Sequence, residues 1–400
     1  MTKDNHPKNT LHAGVFLFLI LGAISALTPF AIDMYLPSMP TIAKDLNVEA
    51  SAVQFTLTAY TLGFAFGQVI NGPLADSYGR RPVLLIGSCL FTVAAVMSAM
   101  STGIEELTLI RVLQGFAGAA SAVIIQALTR DLFDKEDFAR AMSFVTLVMM
   151  VAPLIAPMIG GYFAVWFGWR SIFWFLAAYA FIVVILIAFK IPETLKEENK
   201  QPLRFKTIIR NFVRLIRNPV AFGIIMTGAF SFSGMFVFLT TGSFVYIGVF
   251  GVTPEVFGYL FGLNVLTLVV MTLINGRFVK KVGSHTMLRF GLTIKAISAL
   301  GLFSAWGFDW GLWGIVPFVM LYIGTLSTIG SNTSGLLLSS YPHMAGTAAS
   351  LSGSLRFGIG GAIGGLVALL PTYEIWPMVL TMSLCAVISI LFYFTLGRKA

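Results

Sequence analysis

Apolar runs of about twenty residues, the length an α-helix needs to cross the hydrocarbon of a bilayer, recur along the whole chain between short breaks of charge, glycine and proline. Twelve such runs predict helices, at 13–36, 52–75, 83–101, 105–128, 141–165, 171–190, 220–248, 255–278, 286–306, 312–339, 345–370 and 373–396. The runs are continuous rather than alternating, which predicts a helical bundle and not a β-barrel. The longest hydrophilic break, 191–219, divides the spans six and six. The expected architecture is an all-α membrane protein of two pseudo-symmetric six-helix bundles, 1–190 and 220–400, joined by a linker at 191–219. Within the linker Phe205, Ile208, Phe212 and Leu215 share one helical face, and Arg210, Arg214 and Arg217 share another. That is the pattern of a helix lying in the membrane interface.

Composition agrees with this pattern. The chain is 57% hydrophobic and 11% charged, where a soluble domain is about a quarter charged. Its net charge of +9 would suit nucleic acid if it formed a patch, but the basic residues sit in the loops. Of 26 Lys and Arg, only Lys44 and Arg170 fall on one face and only Arg111, Lys295 and Arg356 within spans, which leaves 21 on the other face. The positive-inside rule makes that face cytoplasmic, with both termini. No nucleic-acid partner is expected.

Cys89 and Cys385 each lie within an apolar run and read as small buried residues, not a disulfide. The four histidines, His6, His12, His285 and His343, lack metal-ligand spacing, so neither metal nor cofactor is expected. The first apolar run follows Lys3 and Lys8 but is longer than a signal-peptide core and has no small-x-small cleavage site, so it is expected to stay as a span.

An internal repeat supports the six-and-six division. Asn71, Gly72 and Gly79 match Asn275, Gly276 and Gly283 at an offset of 204, and the same offset carries Gly160-Gly161 to Gly364-Gly365. Parallel six-helix repeats suggest a transporter with its site where the halves meet.

The stretch "GPLADSYGRRP" at 72–82 resembles the loop between spans 2 and 3 of the major facilitator superfamily, through Gly72, Asp76, Gly79, Arg80 and Arg81. "RVLQGFAGAA" at 111–120 is similar to the family's span 4 motif. "APLIAPMIGG" at 152–161 is similar to the span 5 motif of its drug/proton antiporters through Pro153, Pro157, Gly160 and Gly161, with Ala156 standing where the motif has glycine. "AIDMYLP" at 31–37 and "YPHMAGT" at 341–347 resemble the bicyclomycin-resistance (Bcr/CflA) branch of multidrug exporters, and this likeness extends over essentially the whole chain.

Independently of any resemblance, Asp33 stands out. An ionised carboxylate within a span costs about 2.5–3.5 kcal/mol on insertion scales, so it should face a polar cavity, bind a proton or pair with a cation. Arg111, at a similar expected depth, is the nearest candidate partner, and relative movement of the two would change proton affinity. The resemblance links this arginine to proton coupling. It also implies that Asp76 meets the N-terminus of span 11 in a gate with Gly72, Gly79, Arg80 and Arg81. Lys280 stands at the place of Asp76 in the repeat, so that latch should be one-sided. Where some related exporters carry a second carboxylate, Ser25 stands here.

Prolines and glycines in span 5 predict a kinked, closely packed helix. Arg356 is placed to attract an anionic substrate group or assist coupling, or equally to snorkel or bind carbonyls, and Lys295 is expected to snorkel to the cytoplasmic surface. Gln114, Phe232, Phe236, Asn264 and Asn332 complete the candidate cavity residues, Phe232 and Phe236 belonging to a phenylalanine-rich span 7. The resemblance implies a monomeric, proton-coupled exporter of varied small molecules and drugs in the bacterial inner membrane, with a specific metabolite or amino-acid exporter as the alternative. The loops hold no nucleotide loop or catalytic triad, and enzyme activity is not expected.

Overall fold

The computed structural model describes residues 11–195, 197–200, 203, 205–341 and 344–399. Lys3, His6, Lys8, Pro342 and His343 lie outside the described residues, as do the side chains of Phe205 and Ile208. Among the described residues the secondary structure is helical throughout.

Twelve helices have 20 residues or more: α1 (Leu11–Asp33), α3 (Ala50–Tyr78), α4 (Arg80–Met100), α5 (Ile104–Leu132), α6 (Lys135–Phe167), α7 (Arg170–Lys190), α9 (Pro219–Ser243), α10 (Pro254–Val282), α11 (Ser284–Gly307), α12 (Gly311–Ser340), α13 (Ala345–Val367) and α14 (Trp376–Thr395). Two short helices join them, α2 (Met39–Asp45) and α8 (Phe205–Arg217). A six-residue π turn, Phe244–Val249, extends α9. Ten of the long helices are apolar enough to cross a membrane by composition. The exceptions are α3 and α13. Helix α3 buries Gln54, Thr56, Thr58, Thr61, Gln68 and Asn71, and α13 carries Arg356 and a run of glycine and serine. These two pack against each other across the midline, Phe64 on Phe357 with ring centroids 4.4 Å apart. Thr58, Thr61 and Gln68 of α3 lie against glycines of α13, while Thr56 and Asn71 pair within the first half, with Tyr35 and the Phe116 carbonyl.

The repeat is visible in the backbone. Helices α3 and α10 begin and end 204 residues apart, and α4 and α11 begin 204 apart. In each pair the intervening glycine holds an extended positive-φ conformation, φ 113° and ψ 153° at Gly79, φ 84° and ψ 158° at Gly283. That region is open to glycine almost alone.

The outer surface is apolar, as lipid requires, with Leu109, Phe189, Leu300 and Leu391 exposed. Exposed Trp166, Phe167, Trp310 and Trp313 gather at the end opposite the basic loops, where an aromatic belt meets the membrane surface. Helix α8 is amphipathic: Leu215 and Phe212 pack beneath α9 and α13, while Ile209, Val213 and Ile216 are exposed beside its arginines.

Candidate functional site

The stretch "PFAIDMYLPSMP" ends α1 at Asp33, makes a 3-10 turn at Leu36–Ser38 and starts α2 with Pro40 in its first turn. Pro29 lies within the last turns of α1, and Pro37 and Pro40 fall in the first turns of the 3-10 segment and of α2, where a missing donor is tolerated. Asp33 is 7% exposed, and no hydrogen bond or ion pair reaches it among the described residues.

Arg111 is fully buried on α5. Its Nη1 donates to the Ala31 carbonyl at 3.1 Å and to Gln114 Oε1 at 2.8 Å. Its guanidinium lies over the rings of Tyr60 and Tyr35, 4.3 and 4.8 Å from their centroids. The ion pair with Asp33 suggested by their depths is therefore not formed in this conformation. Arg111 binds the α1 backbone two residues before the carboxylate, and aromatic faces cover its remaining donors.

The halves meet tightly at the end away from the basic loops. Gly160 and Gly161 of α6 touch opposite partners: a methyl at 160 would stand 2.1 Å from the Met34 carbonyl oxygen, and one at 161 would stand 2.6 Å from the Pro254 carbonyl oxygen. Only glycine permits both approaches. Tyr162 and Tyr259 share a hydroxyl hydrogen bond of 2.9 Å across the same seam. Pro153 and Pro157 sit within α6, which continues through both as one 33-residue helix. The Pro157 carbonyl lies against Gly258 of α10.

At the basic end the halves part around a cavity of about 1060 Å³, lined by Gln68, Gly72 and Asp76 on one side and by Gly346, Ser350 and Gly353 on the other. Among the described residues Asp76 makes no bond to α13. It accepts from Arg80 Nη1 at 2.7 Å, and Arg80 Nε donates to Asp131 at 3.0 Å. Glu193 accepts from the backbone amides of Arg80 and Arg81 at 3.1 and 3.2 Å, and Arg81 donates to the Ala188 carbonyl. Asp131 and Glu193 were missed in the sequence. The available signal was an acid at the inner end of each of spans 4 and 6, within reach of the Arg80-Arg81 pair at the inner end of span 2.

The other candidate residues lie deeper than this cavity. Gln114 is engaged with Arg111, and Asn332 donates to Asn275 and to the Thr328 carbonyl, both at 2.7 Å. Phe232 and Phe236 close on Phe357 with centroid distances of 5.3 and 5.7 Å. Asn264 is buried with its Nδ2 unpartnered. Arg356 donates from Nη2 to Gly330, Thr333 and Ser334. Lys295 does not snorkel: it is fully buried, with Nζ 3.9 Å from the Tyr322 ring centroid and 3.1 Å from the Ser231 carbonyl it donates to. Its helical face points into the bundle, and the tyrosine ring takes the place of water.

The sequence pattern of the Major Facilitator Superfamily matches residues 21–365. This chain belongs to that superfamily. A bicyclomycin resistance protein homolog of Haemophilus influenzae is 44% identical over 385 residues, covering 96% of this chain and 97% of that one. Multidrug resistance protein D of Escherichia coli is 27% identical over 390 residues, covering 96% of each. Among solved structures, a D-xylose-proton symporter superposes with a TM-score of 0.75 over 94% of this chain and 98% of its own, at 16% identity, and shows the shared fold. As a facilitator, the chain is a non-enzymatic transporter. It is closed at the α6–α10 seam and open at the other end around the cavity.

Proposed function

We propose that this protein is a proton-coupled exporter of small, chemically varied compounds in the bacterial inner membrane, exchanging drug for proton by rocking the halves 1–190 and 220–400 about the 191–219 linker. The observation that carries the proposal is Asp33, a buried acid at a helix end with no cation bound to it among the described residues. Apolar surroundings favour the neutral acid, and water or a cation favours the carboxylate. A change of access around Asp33 therefore changes its proton occupancy. The resistance names of the two relatives support compounds of the drug class.

In this reading, opening to the outside lets Asp33 take a proton as the compound leaves, and opening to the cytoplasm lets compound entry displace the proton. Asp76 and its neighbours then form the inner gate, which closes on the first turn of α13 when the cavity collapses. The glycine pair of α6 forms the outer seam that must separate.

The test is proton release from the detergent-purified protein in weak buffer on adding bicyclomycin, alongside proton-gradient-driven export in inverted vesicles. The parent should release protons and export, Asp33→Asn should do neither, and Asp33→Glu should retain part of both. Equal proton release from the parent and Asp33→Asn would remove Asp33 from the coupling mechanism.

A further inference from the structure

The two arginines at membrane depth differ in what covers them. Arg111 is sealed by rings on two sides. Arg356, on α13, has no aromatic cover among the described residues and is partly exposed. All three of its acceptors, the Gly330 carbonyl at 3.3 Å, Thr333 Oγ1 at 3.3 Å and Ser334 Oγ at 3.0 Å, take Nη2. Its Nε is buried without an acceptor. Gly228 of α9 lets the guanidinium lie close to the backbone, since a methyl there would stand 3.2 Å from Nη2.

The charge balance around Arg356 is one-sided. Helices α9, α12 and α13, which surround it, contain no Asp or Glu, and the acids of residues 220–400 are Glu255, Asp309 and Glu374. All three lie at the far ends of the helices, in the first turn of α10 and in the segments preceding α12 and α14. An unpaired guanidinium at membrane depth is costly, and a carboxylate presented in its plane meets it with two charge-assisted hydrogen bonds. Gly353, one turn before Arg356 on α13, and Leu338, one turn past Ser334 on α12, both line the inner cavity.

We propose that Arg356, with the hydroxyls of Thr333 and Ser334, forms an anion subsite that takes the carboxylate of a transported compound one helical turn above the inner cavity. The subsite rests on the transport reading and adds a substrate class to it: compounds with an apolar body and a single planar anionic group. Phe357, the next residue on α13, meets Phe232 of α9 with ring centroids 5.3 Å apart, an apolar cluster adjacent in sequence to Arg356 that such a body could meet.

The experiment compares 2-naphthoate with its neutral isostere 2-naphthamide, each titrated calorimetrically into the full-length protein in detergent. The parent should bind naphthoate about ten-fold or more tighter than naphthamide, as a charge-assisted pair confers. Arg356→Gln should abolish that preference, Arg356→Lys should keep part of it, and Ser334→Ala should reduce it severalfold. Should Arg356→Gln fail to purify as a monodisperse species, Arg356→Lys, Ser334→Ala and the parent's own ratio decide. Equal binding of the two probes by the parent, or a preference unchanged in the variants, overturns the subsite. Export of bicyclomycin from energised vesicles is scored separately. If export is present and the preference absent, the subsite alone falls; if the preference is present and Arg356-dependent without export, the subsite stands and the exporter reading falls.

Discussion

The turn between α3 and α4 and its repeat between α10 and α11 share one backbone and little else. Each is hinged on an extended positive-φ glycine. At the first, the Glu193 carboxylate sits where a Cβ on Gly79 would be, 2.4 Å from it, and Arg80 joins Asp76 to Asp131. At the second, Gly283 has open space at that point, Lys280 stands at the place of Asp76 and Ser284 at that of Arg80. Both turns keep the geometry that sends the chain back into the membrane, and among the described residues the first alone holds this ionic clasp. The backbone conformation is thus the requirement of the fold, and the charges belong to whatever the first half does at the inner mouth.

Substitutions at matched positions separate the two contributions. Gly79→Ala should have the largest effect. It carries a backbone cost of about 1–3 kcal/mol and also displaces Glu193 from two amides, for about 1 kcal/mol more after allowance for its exposure. Gly283→Ala should show the backbone cost alone, so equal shifts in denaturant unfolding of the two purified variants would deny Glu193 any part. Arg80→Ala comes next, at about 1–2 kcal/mol, because Asp131 loses its shorter cation and keeps only the Thr194 hydroxyl and the more distant Arg130; full burial would make it about 3–5. Adding Asp131→Asn to that variant should recover part of the loss. Glu193→Gln should cost about 1 kcal/mol by weakening its bonds to the Arg80 and Arg81 amides. Ser284→Ala, the repeat's counterpart of Arg80→Ala, should shift unfolding by under about 0.5 kcal/mol, and a shift as large as that of Arg80→Ala would mean that the second turn holds a clasp of its own.

Helix positions were legible because the membrane demands about twenty apolar residues in a row, and the offset of 204 was legible because the glycines that fix the turn cannot be replaced cheaply. The pairings of buried cations were not. Depth along a span placed Arg111 beside Asp33, but depth does not specify azimuth, and the side chain turned to Gln114 and two tyrosine rings instead. Lys295 misled for the same reason: a long stem suggested escape to the surface, while its face of α11 points at Tyr322. The Arg80 network escaped notice because Asp131 and Glu193 lie 51 and 113 residues away along the chain.

Helices α3 and α13 are the two long helices that composition alone does not mark as spans, and they pack on each other. During synthesis α3 emerges nearly three hundred residues before its cover. Through most of translation the face of α3 that carries Thr58, Thr61 and Gln68 therefore lacks the helix that covers it in the finished fold. A chain truncated before α13 should accordingly be cleared by membrane proteases far faster than one lacking only α14, and maturation of this transporter becomes a matter of timing at its last pair of helices.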